Sequence, residues 1–150
     1  MELRRATQGD NEALAELLTY FFAGEGFTTP PEVIAARVSA FLEHSGNAAF
    51  LAVDGDSTVG VSTVTSAFGI ERGHTAEIED LFVIPSHRSR GIATALLGEA
   101  MLWSKEQGFD ALQVVVTPED TVRKENLVSW YGRLGFAATG RLVLLFDAGQ

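Results

Sequence analysis

Apolar positions recur along this chain with two periods, one helical and one alternating, and their succession lays out a series of elements. Residues 3–6 read as a short first strand. Leu14, Leu17, Leu18 and Phe21 follow helical spacing behind Asp10 or Asn11, either of which can cap a helix, and Gly24-Glu25-Gly26 ends it. Residues 27–31 form a loop. Pro31 opens a second helix with Val33, Ile34, Val38, Phe41 and Leu42 as its apolar stripe, closing at Ser45-Gly46-Asn47.

Beyond that point the period shortens. Residues 49–53 and 59–65 predict two strands joined by a hairpin at Asp54-Gly55-Asp56. A turn over 68–73 leads into a strand at 75–83. A long amphipathic helix runs from Ile92 to about Gln107 and stops at Gly108. A valine-rich strand at 112–116, a helix at 122–134 and a final hairpin of strands 136–139 and 141–146 complete the chain. No repeat, linker or low-complexity segment interrupts it. The order β-α-α-β-β-β-α-β-α-β-β predicts one α/β domain over residues 1–150.

Composition narrows the class. An apolar content of 46% and a charged content of 21% over 150 residues are those of a soluble globular protein with a sizeable core. No apolar run reaches the length of a spanning helix, and Met1-Glu2-Leu3-Arg4-Arg5 lacks the stretch of a signal peptide, so the expected location is cytoplasmic, with no membrane partner. With no cysteine there is no disulfide framework, thiolate metal site or cysteine nucleophile. His44, His74 and His87 lack metal-ligand spacing, and no metal is expected. The net charge of −9 is uneven. Residues 1–83 hold thirteen acidic and four basic side chains, whereas residues 84–150 hold seven of each.

The candidate chemistry starts where the strand ending at Val83 meets Pro85. Arg88-x-x-Gly91-x-Ala93 follows, and a helix opens at once. Amides at a helix start have no intrahelical partner, and the helix dipole favours negative charge there, so this turn can hold an anion. Gly91 and Ala93 carry no bulk to keep a phosphate away.

With its flanks, Val83-x-Pro85-x-x-Arg88-x-x-Gly91-x-Ala93 resembles the acetyl-coenzyme A signature of the GNAT family of N-acetyltransferases. Trp130-Tyr131-x-x-Leu134-Gly135-Phe136 resembles that family's C-terminal segment. The resemblance implies a mixed, mostly antiparallel sheet with a V-shaped splay between two central strands, flanked by about four helices. It implies acetyl-CoA as co-substrate, its pyrophosphate held around Arg88, Ser89, Arg90, Gly91, Ile92, Ala93 and Thr94. The pantetheine arm would pair with Leu81, Phe82 and Val83, and an amide near Phe82 and Val83 would serve as oxyanion donor. Tyr131 would protonate the leaving thiolate. Family members commonly carry Asn seven residues before that tyrosine. Lys124 stands there and Asn126 lies nearby, so either could contact the coenzyme.

The strand before the turn reads Ala76-Glu77-Ile78-Glu79-Asp80-Leu81-Phe82-Val83, with three carboxylates in an otherwise buried pattern. Alternation puts Glu77 and Glu79 on one face with Leu81, and Asp80 on the other with Ile78 and Phe82, unless a bulge shifts the register. Each acid matches a different branch of the family. Glu77 matches the base of GNAT histone acetyltransferases, and Glu79 an acid of some aminoglycoside 6'-N-acetyltransferases. Asp80 matches the short aminoglycoside 3-N-acetyltransferases, whose His-Arg-x-x-Gly-Ile-Ala-Thr-Ala-Leu recurs from His87 to Leu96. Glu79 and Asp80 are the leading candidates for acceptor binding or base work, with Glu77 third. Tyr20 and Phe27 belong to an aromatic cluster near the expected acceptor mouth.

In this family the N-terminal half binds most of the acceptor. The acidic first half therefore points to a small cationic amine and away from nucleic acid. The leading acceptor is an aminoglycoside, which would make the activity one of antibiotic resistance. The alternatives are a protein or peptide amine, or a non-catalytic acyl-CoA-binding module. Dimers are common in the family, so a homodimer is expected.

Overall fold

The computed structural model describes residues 1–117 and 126–149. They fall into two compact units, Met1–Val114 and Val115–Gln150. The first unit is a five-stranded sheet with helices on both faces. Its elements are β1 (Glu2–Arg5), α1 (Asn11–Gly24), α2 (Pro31–Glu43), β2 (Ala48–Asp54), β3 (Ser57–Gly69), β4 (Gly73–Val83), α3 (Ile92–Glu106) and β5 (Ala111–Val114). Strand order follows chain order, β1 through β5. The first four strands are antiparallel neighbours, and β5 runs parallel to β4. This is the mixed, mostly antiparallel sheet implied by the sequence, and the described residues include four helices.

Two layers of side chains hold the sheet. Leu14, Leu17 and Leu18 of α1 and Ile34 and Val38 of α2 pack on Ala49, Leu51, Val61 and Phe82. On the opposite face α3 buries Leu96, Leu97, Ala100 and Trp103, with Trp103 set edge-on to Phe50 and Phe109. Gly60 lets α3 come close, because a Cβ there would stand 3.1 Å from the Leu96 Cδ1 and 3.3 Å from the Phe82 carbonyl oxygen. That contact fixes how near the start of α3 lies to the end of β4.

Asp10 precedes α1 but does not cap it with its side chain. The carboxylate instead takes two hydrogen bonds from the Arg4 guanidinium, at 2.6 and 2.9 Å, and one from the Thr7 amide at 2.8 Å. A bidentate cation outcompetes a backbone amide, and Asp10 is held well below the usual carboxylate range, chiefly by Arg4.

The β3–β4 hairpin is longer than the apolar pattern predicts, reaching Gly69 and resuming at Gly73. β5 pairs with β4 only through Thr75–Ala111, Ala76–Leu112, Glu77–Gln113 and Ile78–Val114. Its entry is pinned by the Asp110 carboxylate, which accepts from the His74 amide at 2.9 Å. From Glu79 onward the strand has no ladder partner on that side among the described residues, so the sheet splays there.

The second unit holds α4 (Leu127–Arg133). The expected strands at 136–139 and 141–146 do not form, because a strand exists only with a ladder partner and none of these described residues joins one. Leu142, Leu144, Leu145 and Phe146 are exposed.

Candidate active site

The acceptor side is built by a bulge in β4. Thr63 pairs with Asp80, yet the next residue, Val64, pairs with Ile78, so Glu79 is the extra residue. The extra residue reverses the alternation below it. Glu77, opposite Thr65, now shares a face with Asp80, opposite Thr63, while Ile78 and Leu81 belong to the other face. The simple alternation expected from sequence is therefore corrected: all three carboxylates gather on the α1/α2 side.

Each acid has its own partner. The Thr63 hydroxyl donates to the Asp80 Oδ2. The Thr65 hydroxyl donates to the Glu79 Oε1 at 2.6 Å. The Gln113 amide donates to the Glu77 Oε1 at 2.7 Å and is itself held by the Arg72 guanidinium at 2.7 Å. Burial lifts the Asp80 carboxyl above its ordinary value, and the Thr63 hydrogen bond only partly opposes that. Burial is also the main cause of the rise at Glu79. Thr65 opposes it, while the neighbouring Glu77 and Asp80 carboxylates add to it.

Glu79 and Asp80 form one wall of a cavity of about 410 Å³ between α1, α2 and the sheet. The facing walls are Leu14, Leu18 and Phe22 of α1 and Ile34, Val38 and Phe41 of α2, with Phe27 and Arg37 also on the lining. Glu77 is not part of it. Neither is Tyr20, which is exposed and lines a separate hollow with Glu16 and Thr19. Its ring lies instead beside Phe82 at the end of β4, 6.0 Å between ring centres. Thr63, Thr65, Arg37 and Gln113 escaped the sequence reading. The one signal for the threonines was their alternation with Val59 and Val61, where an apolar face turns polar.

The donor side uses backbone. Ser89 and Gly91 have positive φ, 60° and 78°, and Gly91 stands as the N-cap of α3 with no side chain bonding to the freed amides. A Cβ on Gly91 would meet nothing within 4 Å. The helix starts at Ile92, so the amides of Ile92, Ala93 and Thr94 have no intrahelical acceptor. This turn fits a pyrophosphate. Arg88 is turned back on the strand: its Nε donates to the Val83 carbonyl at 2.9 Å and its guanidinium lies 5.6 Å from the Phe82 ring centre. His87 ties the same loop to the β2–β3 turn through Asp54, 3.0 Å away. Arg90 is exposed.

In the second unit Tyr131 is buried, set edge-on to Trp130 and Phe136 at 4.8 and 5.4 Å between ring centres. Asn126 caps α4, its side-chain oxygen accepting from the Ser129 amide at 3.3 Å. Lys124 lies outside the described residues.

Residues 11–136 match the acetyltransferase (GNAT) family. The chain belongs to that family. An N-acetyltransferase of Methanocaldococcus jannaschii, uncharacterised, is 37% identical over 67 residues, which are 45% of this chain and 28% of that protein. An aminoglycoside N(6')-acetyltransferase type 1 of Salmonella typhimurium is 28% identical over 75 residues, half of this chain and 49% of that enzyme. The aligned stretch thus spans half or less of these curated relatives. A solved aminoglycoside N-acetyltransferase in complex with coenzyme A superposes with a TM-score of 0.81 at 20% identity, covering 98% of this chain and 94% of that one. This GNAT chain therefore shares its fold with that enzyme. No helix among its described residues is long and apolar enough to cross a membrane.

Proposed function

We propose that this GNAT chain transfers an acetyl group from acetyl-CoA to a primary amine of a small molecule. Acetyl-CoA supplies the acyl group already activated as a thioester. The observation that carries the reading is the bulge in β4. It sets Glu79 and Asp80 together on the wall of one cavity, on the strand that runs into the α3 anion turn.

The acceptor arrives as an ammonium and must lose a proton to attack. Asp80, buried and held by Thr63, anchors the ammonium. Glu79, the more exposed acid, takes the proton directly or through water. Its raised pKa makes it a stronger base near neutral pH than an ordinary glutamate. On the edge of β4 that has no ladder partner among the described residues, the Val83 amide is the donor offered to the developing oxyanion. The Ile84 amide, and by alternation that of Phe82, points to β3 instead. The amides of Ile92, Ala93 and Thr94, with Ser89, Arg90 and Gly91, hold the coenzyme pyrophosphate. Tyr131 gives a proton to the departing thiolate. Attack is direct, within a ternary complex.

The fold shared with the aminoglycoside enzymes makes aminoglycosides the first acceptors to assay, and resistance to them the first phenotype. A thiol-release assay with aminoglycosides, polyamines, simple amines and peptides side by side tests the reading. Turnover of a small amine is expected. Turnover of peptides alone would replace it with a protein acetyltransferase, and coenzyme binding without any turnover would leave an acyl-CoA-binding module.

A further inference from the structure

We infer that the acceptor is a monoamine carried on an apolar body, rather than a polycation or a polyhydroxylated amino sugar. This rests on the acetyl-transfer reading and narrows its substrate. Six of the residues facing the acids across the cavity are Leu14, Leu18, Phe22, Ile34, Val38 and Phe41. None can accept or donate a hydrogen bond through its side chain. Of the three hydroxyls on the lining, Thr63 is engaged on Asp80 and Thr65 on Glu79, which leaves Thr29 to meet a hydroxyl of the ligand.

A sugar ring placed here would turn several hydroxyls toward leucine and phenylalanine. Each buried hydroxyl left without a partner lowers affinity by about 5- to 150-fold. An alkyl or aryl group gains from the same walls. The volume, about 410 Å³, lies toward the small end of ligand pockets, which span roughly 300–1,000 Å³. It suits one ring better than the several of an aminoglycoside.

Charge points the same way. The lining holds two carboxylates, Glu79 and Asp80, and one cation, Arg37. One ammonium closes that balance. A second would meet either the apolar wall or the Arg37 guanidinium, and both oppose it. Arg37 is thus a specificity determinant against polycations.

The test compares 2-phenylethylamine and isopentylamine with spermidine and kanamycin on the full chain. The expected kcat/KM for the two apolar amines exceeds that for spermidine and kanamycin by about tenfold or more. Phe27→Ser, at an exposed loop position on the lining, should cost phenylethylamine about tenfold and spermidine less than that. Arg37→Glu should narrow the gap to spermidine by a similar factor. Equal or better turnover of kanamycin or spermidine by the wild-type protein overturns the inference. If no amine is acetylated, the acetyl-transfer reading fails instead. Calorimetric titration of the coenzyme A-loaded protein then decides the inference alone: tighter binding of phenylethylamine than of spermidine sustains it, and no preference overturns it.

Discussion

The donor turn and the acceptor cavity meet on one strand, yet they are made in opposite ways. The turn at Arg88–Thr94 works through backbone amides freed by a helix start, and its side chains mostly stay out of the way. The cavity works through side chains brought from α1, α2, β3 and β4. A backbone device tolerates changes of side chain but not of conformation. A side-chain device has the reverse sensitivity. Substitutions at the two ends should therefore fail differently.

The largest expected effect lies in the acids. Glu79→Gln should lower kcat/KM by about 10²–10⁴ while coenzyme binding, followed by calorimetry, stays as it was. Coenzyme affinity that fell in parallel would erase the proposed division between the two ends. Asp80→Asn carries a second signature. A carboxyl whose folded pKa is raised makes the folded state lose stability as pH rises through that window. Asp80→Asn should therefore raise the melting temperature at pH 7 even as it removes activity, and the gain should vanish below the ordinary carboxylate pKa.

Next comes the turn itself. Gly91→Ala forces a side chain into the left-handed region, at about 1–2 kcal/mol, and so strains the conformation that frees the amides. Coenzyme affinity should fall about tenfold or more, with the ranking of amine acceptors unchanged. A changed ranking would mean that the two ends are not separable. A smaller effect belongs to Thr65→Val. Its hydroxyl holds the Glu79 pKa down, so its loss should push that pKa higher. The acid limb of the kcat/KM profile, along which activity falls as pH drops, should move to higher pH. A limb that stayed in place would take Glu79 out of the proton path.

Far from either end, Asp10→Asn removes the bidentate pairing with Arg4 and should cost about 1 kcal/mol, or about 2–4 °C in melting temperature. Because the folded Asp10 pKa is depressed, this stabilisation is present above the unfolded value and is lost as pH falls toward the folded one. Activity at saturating substrates should not change.

The sequence by itself determined most of the local structure and the donor turn. Period-3.6 and period-2 patterns located α1, α2, β2, β4 and α3 closely. Pro85, Arg88 and Gly91 marked the turn because a helix start, a left-handed residue and free amides are all properties of adjacent residues. Only tertiary structure decided the acceptor end. Glu79 and Asp80 face the cavity because β4 carries one more residue than β3 across a single pairing. That register depends on a partner strand whose place strand alternation cannot reveal. Arg37 was silent in sequence, and Thr63 and Thr65 showed only that an apolar face turns polar, for the same reason: nothing in their own neighbourhoods says which carboxylates, or which walls, they will stand beside.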